Sequence, residues 1–317
     1  MNFKGKIKEK RIPRLLGKLM LFFAIVFLLD AAIGRLLEYL YFKQDSGLLY
    51  RTTYSIDSTK AEIVIFGSST ANHHYYPGSF EKRMNLSLYN AGRDGNSIFY
   101  HYSVLKCILK RYAPKIAILD FNIREFKKDE QSYDRISSLL PYYQRHPEIR
   151  DIIQQKSKYE KYKILSKIYP FNSLLFTIAI GNLNLNTMRE NIISEEGYLP
   201  LKRIWRREIS TDTSNKNYVI DRNKVDIFEN FIRDCHTSNV KLYIIISPRF
   251  LKYEFADCSI SIARGIAKKF NIHFFNFSND PDFLNHPELF ADKSHLNDSG
   301  AKIYSNKVID KILNDAP

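Results

Sequence analysis

Cysteine is scarce in this chain: Cys107, Cys235 and Cys258 are the only three, in expected helices or a loop, and none stands at a metal-ligand spacing from another. Neither a disulfide framework nor a zinc site is indicated, no cofactor is implied, and the redox compartment stays open. No cysteine lies near the end of the N-terminal apolar run, which removes a lipoprotein attachment site. Internal repeats and low-complexity tracts are lacking too. No nucleic-acid motif accompanies the net charge of +14, so nucleic acid is not an expected partner. Beyond the N-terminus the bases are scattered and read as solvated surface, with attraction to anionic lipid or polysaccharide as the alternative.

An uninterrupted apolar run of membrane length is also missing. Leu19 to Leu29 gives only eleven such residues before Asp30, against the roughly 20 that cross a bilayer. Continuing through Ala31, Ala32, Ile33, Leu36 and Leu37 to Phe42 yields a long enough helix, with Lys18, Asp30 and Arg35 as polar interruptions near its ends. The first eighteen residues carry seven bases and one acid. This asymmetry predicts a basic cytoplasmic segment over 1–18, a signal anchor over 19–42 and everything beyond on the far side of the membrane. Ala31 and Ala32 leave a cleaved signal peptide as the rival reading, although no polar break follows them.

What is present is enough apolar chain, 44% of residues, for one sizeable core. After a polar linker over 43–60, five short β-branched or aromatic segments are expected as strands: Glu62–Phe66, Ser87–Tyr89, Ile116–Phe121, Lys241–Ser247 and Ile272–Phe277. Helical faces lie between them. Ile98, Tyr102, Leu105, Leu109 and Tyr112 share one, and Val225, Phe228, Ile232 and Cys235 another. A last helix, capped by Asn297 or Asp298, carries the stripe Tyr304, Val308, Ile309, Ile312 and Leu313. Alternating strands and helices predict an α/β domain over 61–317 with a parallel sheet covered on both sides. The Tyr- and Lys-rich region over about 125–218 breaks this rhythm and is read as an insertion: a lid, a partner surface or a helical elaboration.

Candidate chemistry gathers at expected strand ends, where open α/β sheets keep their reactive groups. Gly67-Ser68-Ser69-Thr70 follows the first strand, and its serines suit either a nucleophile or a helix cap. Asp292-Lys293-Ser294-His295 precedes the last helix. An Asp three residues ahead of a His can hold one imidazole nitrogen and leave the other to act as a base. Asn90-Ala91-Gly92-Arg93-Asp94-Gly95 follows the second strand and offers backbone N–H groups in a tight turn. Asn122 ends the third strand, where its amide can donate to an anion.

The order Gly-x-Ser, Asn-x-x-x-x-Gly, strand-end Asn and Asp-x-x-His resembles the four sequence blocks of the SGNH/GDSL hydrolase family. The resemblance implies a flavodoxin-like three-layer sandwich on a five-stranded parallel sheet. It implies Ser69 as nucleophile, Asp292 and His295 as its triad partners, and Ser69, Gly95 and Asn122 as oxyanion donors. Ser68 stands where many members have Asp, and Asn122 lacks the usual flanking Gly and Asp. Gly-Ser-Ser is instead similar to membrane-anchored members associated with acyl transfer to envelope polymers. The expectation is thus a serine esterase or O-acyltransferase acting on acyl, above all acetyl, esters of envelope carbohydrate, with a multi-spanning membrane acyltransferase as partner. A non-enzymatic scaffold of a polysaccharide assembly complex and a free lipase or esterase are the alternatives. His73, His74 and Arg249 are candidate substrate contacts: the two histidines from a partly exposed loop before Pro77, Arg249 from the end of the fourth strand. Arg93 and Asp94 read as turn residues, and His101, His146, His236, His273 and His286 as structural or surface groups.

Overall fold

Ile63 to Phe66 has no polar side chain, and a four-residue run of that kind is stable as a strand only where both faces are covered. All four residues are buried. In the computed structural model, which describes residues 4–183, 185, 196–206, 208, 210–212, 217–253 and 257–314, the strands are β1 (Ile63–Phe66), β2 (Leu88–Asn90), β3 (Ile116–Asp120), β4 (Ser210–Asp212), β5 (Lys241–Ile246), β6 (Leu251–Tyr253) and β7 (His273–Asn276). Five form one parallel sheet in the order β2-β1-β3-β5-β7, and β4 pairs with β6 in a separate two-stranded ribbon. The five-stranded parallel sheet is the one expected, strand for strand. β7 closes an edge and is only half-buried.

The helices that matter to the site are α1 (Lys4–Phe42), α2 (Gly47–Asp57), α3 (Ser69–His74), α4 (Pro77–Met84), α5 (Ile98–Leu109), α6 (Arg222–Thr237), α7 (Cys258–Lys269) and α8 (Asp298–Leu313). Side chains alternate along a strand, so each strand feeds two cores. Val64, Phe66, Ala117, Leu119, Leu242 and Ile244 pack with Phe99 and Leu105 of α5, Phe228 and Ile232 of α6 and Ala263 of α7. Ile63, Ile65, Ile118, Tyr243 and Ile245 pack on the other face with Phe80 of α4 and Tyr304, Val308 and Ile312 of α8. The result is a sheet between two helical layers. Asn297 caps α8 through a bond from the Gly300 N–H, 3.0 Å, whereas Leu313, read as part of the buried stripe, is exposed in the final turn.

Two expectations about the N-terminal third are corrected. The supposed polar linker over 43–60 carries α2, which buries Leu49, Arg51, Thr52, Ser55 and Ile56. Its hydroxyls return to carbonyls one turn back, Thr52 to Leu48 at 2.9 Å and Ser55 to Arg51 at 2.8 Å, so they enter the interior satisfied. Helix α1 is long and apolar enough over Ile12–Phe42 to cross a membrane. Residues 12–29 are exposed on every side, but Asp30 is not a mere blemish. Its carboxylate accepts from Ser166 Oγ at 2.5 Å and from the Lys167 N–H at 2.7 Å, fastening α1 to the insertion.

Between residues 130 and 182 the insertion is short helices that join the domain: Ile136, Leu139, Tyr142, Ile149 and Ile153 enter the core beside α5. Its other described element is β4, so a mainly helical elaboration is what these residues build. The other residues of the 125–218 region, 184, 186–195, 207, 209 and 213–216, lie outside the described residues, as do 1–3 of the basic segment and 315–317 of the domain.

Candidate active site

Strand β1 must turn into α3 within two residues while passing close to β3. Gly67 makes that possible. Its φ of +154° is a conformation side chains avoid, and a Cβ there would lie 2.7 Å from that of Ala71 and 2.9 Å from that of Asp120. Ser69 opens α3, and the helix-cap reading is not realised at Ser68, whose side chain makes no cap bond. The Ser69 hydroxyl instead lies 2.8 Å from His295 Nε2.

The other half of the site is a turn before α8. Asp292 Oδ1 accepts from the backbone N–H groups of Ser294 at 2.8 Å and His295 at 3.0 Å, which folds the turn around the carboxylate. The same carboxylate meets His295 Nδ1 at 3.0 and 3.1 Å. Burial pushes the Asp292 carboxyl up, but the His295 ring and the two N–H donors outweigh it and hold it at about 2. An ionised Asp292 can only accept, so His295 Nδ1–H donates to it, which leaves Nε2 as acceptor for the Ser69 hydroxyl. The three residues Ser69, His295 and Asp292 thus form one continuous hydrogen-bonded chain across more than two hundred residues of sequence.

Topology decides what flanks Ser69. Because β1 lies between β2 and β3, the loops after those strands stand on either side of it. Gly95 belongs to the first loop, at φ +69°, with its α-carbon turned to the Arg135 guanidinium. Among the described residues neither the Ser69 nor the Gly95 N–H has an acceptor. Asn122 follows β3 on the other side. Its oxygen accepts from Arg249 Nη2 at 3.1 Å, and its side chain faces the buried Glu125 carboxylate, whose charged form it favours against burial. A carboxamide nitrogen has two hydrogens, so one donor of Asn122 remains.

His73 and His74 require correction, because they sit in α3 and are buried rather than on a partly exposed loop. Both belong to the site, by different routes. His74 Nε2 accepts from the Leu296 N–H at 2.9 Å and so holds the chain just after His295. Burial, reinforced by His295, His73 and Arg249 nearby, drives the His74 pKa well below the usual imidazole value and keeps it neutral. His73 donates from Nδ1 to the Leu199 carbonyl at 2.7 Å, and its ring meets that of His295 edge to face at 5.4 Å. Its Nε2 lies 3.5 Å from Asp94. Burial raises the Asp94 carboxyl, yet the bond to His73 and the Asn72 amide at 2.7 Å bring it to about 2.

Sequence reasoning passed over Asp120. This fully buried acid at the end of β3 accepts from Thr70 Oγ1 at 2.5 Å, from the Tyr75 hydroxyl at 2.7 Å and from Ser247 Oγ. Both ends of α3 and the end of β5 are pinned to one carboxylate beside Ser69. Burial pushes its pKa up against those three donors. The available signal was an acid inside the apolar run Ile116 to Phe121. Arg203 of the insertion was also missed; it bonds the Ala291 carbonyl at 2.8 Å and comes within 3.8 Å of Asp292.

Away from this edge, Cys107, His146 and Glu148 bring one ligand atom each within 4.8 Å of one another, a grouping that linear spacing hid. His146 already uses both ring nitrogens, on Glu148 at 2.9 Å and on Asp57 at 2.8 Å. Burial pushes the Cys107 thiol up. A thiol held protonated beside a doubly bonded imidazole suits a polar tie between α2, α5 and the insertion better than metal ligation, which needs a thiolate and a free imidazole nitrogen.

Comparison of the chain with protein-family models and with curated proteins finds no match.

Proposed function

We propose that this chain is a membrane-anchored serine hydrolase or O-acyltransferase of the SGNH/GDSL type, acting on acetyl esters of cell-envelope carbohydrate. The observation that carries the reading is the hydrogen-bonded line Ser69, His295, Asp292, with Nε2 free to take the serine proton. In the first step His295 Nε2 accepts the Ser69 proton as Oγ attacks the ester carbonyl. The tetrahedral oxyanion then forms beside the N–H groups of Ser69 and Gly95 and the remaining donor of Asn122. On collapse, the C–O bond to the sugar breaks and His295 returns the proton to the leaving alkoxide. Water, or a second sugar hydroxyl, then gives its proton to His295 Nε2 as its oxygen attacks the acyl carbonyl; on collapse the bond between the acyl carbon and Ser69 Oγ breaks, and His295 returns that proton to Ser69 Oγ. Asp292 stays ionised throughout and steadies the imidazolium. These steps need only this chain's own residues.

The first α-helix supports the envelope setting. Residues 12–29, exposed all round, rise about 27 Å at 1.5 Å per residue, close to a hydrocarbon core of roughly 30 Å. Arg14 and Lys18 stand near the start, where long basic side chains reach headgroups. The basic N-terminus favours the cytoplasm. Asp30 and the residues after it then meet the domain at the far surface, which holds the triad near any membrane protein that delivers acyl groups. A pure scaffold has no use for an aligned serine and base, and the triad therefore weighs against that alternative.

Full-length protein in detergent micelles, given an O-acetylated oligosaccharide, should release acetate. It should pass part of the acetyl group to an added sugar acceptor. A wide preference for long-chain esters would replace the carbohydrate reading with a lipase-like one.

A further inference from the structure

A pocket of about 320 Å³ lies beside the Gly95 loop, between α2, that loop and the insertion. Its lining includes Arg51, Arg93 and Arg135 and the hydroxyls of Ser137 and Ser138, with Asp94 as the one acid. Arg51 and Arg93 are 8% exposed. Two buried guanidinium groups are costly unless a negative charge answers them. Among the described residues none of the three arginines has a carboxylate within ion-pair distance. Arg51 bonds Asn72 Oδ1 at 2.9 Å and the Gly197 carbonyl at 3.2 Å, and Arg93 bonds Thr52 Oγ1 at 2.7 Å and lies over the Tyr100 ring. Asp94 is committed to Asn72 and His73.

Among the described residues Arg51 Nε and Ser138 Oγ have no hydrogen-bond partner. With three guanidinium groups against one carboxylate in its lining, the pocket suits a ligand that carries oxygens and negative charge.

We infer that this pocket binds an oxyanion of the carbohydrate substrate, a uronate carboxylate or a phosphodiester, and sets which sugar hydroxyl reaches Ser69. The location fits. Asp94 and Leu199 line the pocket and also hold His73, whose ring touches that of His295. Gly95 leaves the space that the Arg135 guanidinium fills. The inference rests on the carbohydrate-ester reading for the role of the ligand, though not for the binding itself.

The test uses full-length Ser69→Ala protein in detergent, titrated by calorimetry with three oligosaccharides of equal length: a uronate oligomer, a glycerol-phosphate-linked oligomer and a neutral one. At least one anionic oligomer should bind ten times more tightly than the neutral one, and the tighter of the two identifies the source of the charge. Arg135→Gln, at an exposed position that should fold, should remove most of that preference. Lys311→Gln removes the same charge from an exposed site on α8 and should leave binding as it was. Equal affinity for neutral and anionic oligomers, or equal losses from Arg135→Gln and Lys311→Gln, would overturn the pocket. Wild-type hydrolysis of 4-nitrophenyl acetate, run in parallel, separates the two readings: anion binding without hydrolysis removes the proposed enzyme and keeps the pocket.

Discussion

The edge that carries Ser69 and the insertion that faces it are held by different means. Around Ser69 the strands deliver the residues: β1 ends just before Gly67, β3 on Asp120 and β5 just before Ser247, and a single buried carboxylate ties them together. The insertion has no strand in the main sheet. Besides the apolar side chains it sends into the core, it is fastened by separate polar links, Asp30 to Ser166, His146 to Asp57, and Tyr41 to Tyr142 at 3.1 Å, each joining residues far apart in sequence. The first arrangement keeps Ser69 and the groups around it in place through the whole core. The second can lose one link and keep the rest.

That contrast can be broken most sharply at Asp120. Asp120→Ala takes the acceptor from Thr70 and leaves Tyr75 and Ser247 only their longer bonds to each other and to Tyr304, 3.2–3.4 Å, at roughly 1–3 kcal/mol for a buried donor left unpaired. Urea unfolding should show a loss of about 2–3 kcal/mol, and a loss below about 1 kcal/mol would mean that the edge is not built on this acid. Asp292 comes next. Its carboxyl falls from 3.8 to about 2 in the fold, so its contribution of about 2 kcal/mol is complete above pH 3.8 and disappears as pH falls through about 2. Asp292→Asn should therefore narrow the stability difference between pH 6 and pH 2, read by thermal melts. The smallest effect is expected in the insertion. The carboxylates of Asp57 and Glu148 raise the His146 pKa above 6.5 against the opposing effect of burial, so its contribution is full below pH 6.5 and is lost as pH rises through the raised value. His146→Gln should cost about 1 kcal/mol at pH 5.5 and clearly less at pH 9. A deficit that grows with pH would contradict the ion-pair link.

How much of this was legible in the sequence follows the same division. Strands such as Ile116–Asp120 announce themselves because a strand covered on both faces has to be apolar throughout, and Ser69, Asn122 and Asp292 could be located by the strand or helix they adjoin. Helix α2 could not. Arg51, Thr52 and Ser55 look like a polar linker until their partners Asn72, Leu48 and Arg51 are in place. His73 and His74 were misread for the same reason, since the carbonyl of Leu199 and the N–H of Leu296 that bury them come from distant chain. Asp120 shows the limit most clearly: a lone acid at the end of an apolar strand looks like a departure from pattern, and only its three donors reveal a fastening point.

The proposal that Ser69 is a nucleophile activated by His295 is tested most directly by labelling the full-length protein with a fluorophosphonate probe and mapping the modified residue by mass spectrometry. The triad predicts labelling at Ser69 alone, abolished by Ser69→Ala, strongly reduced by His295→Ala and little changed by Ser68→Ala. Undiminished labelling of Ser69→Ala, or full labelling of Ser69 in His295→Ala, would contradict it.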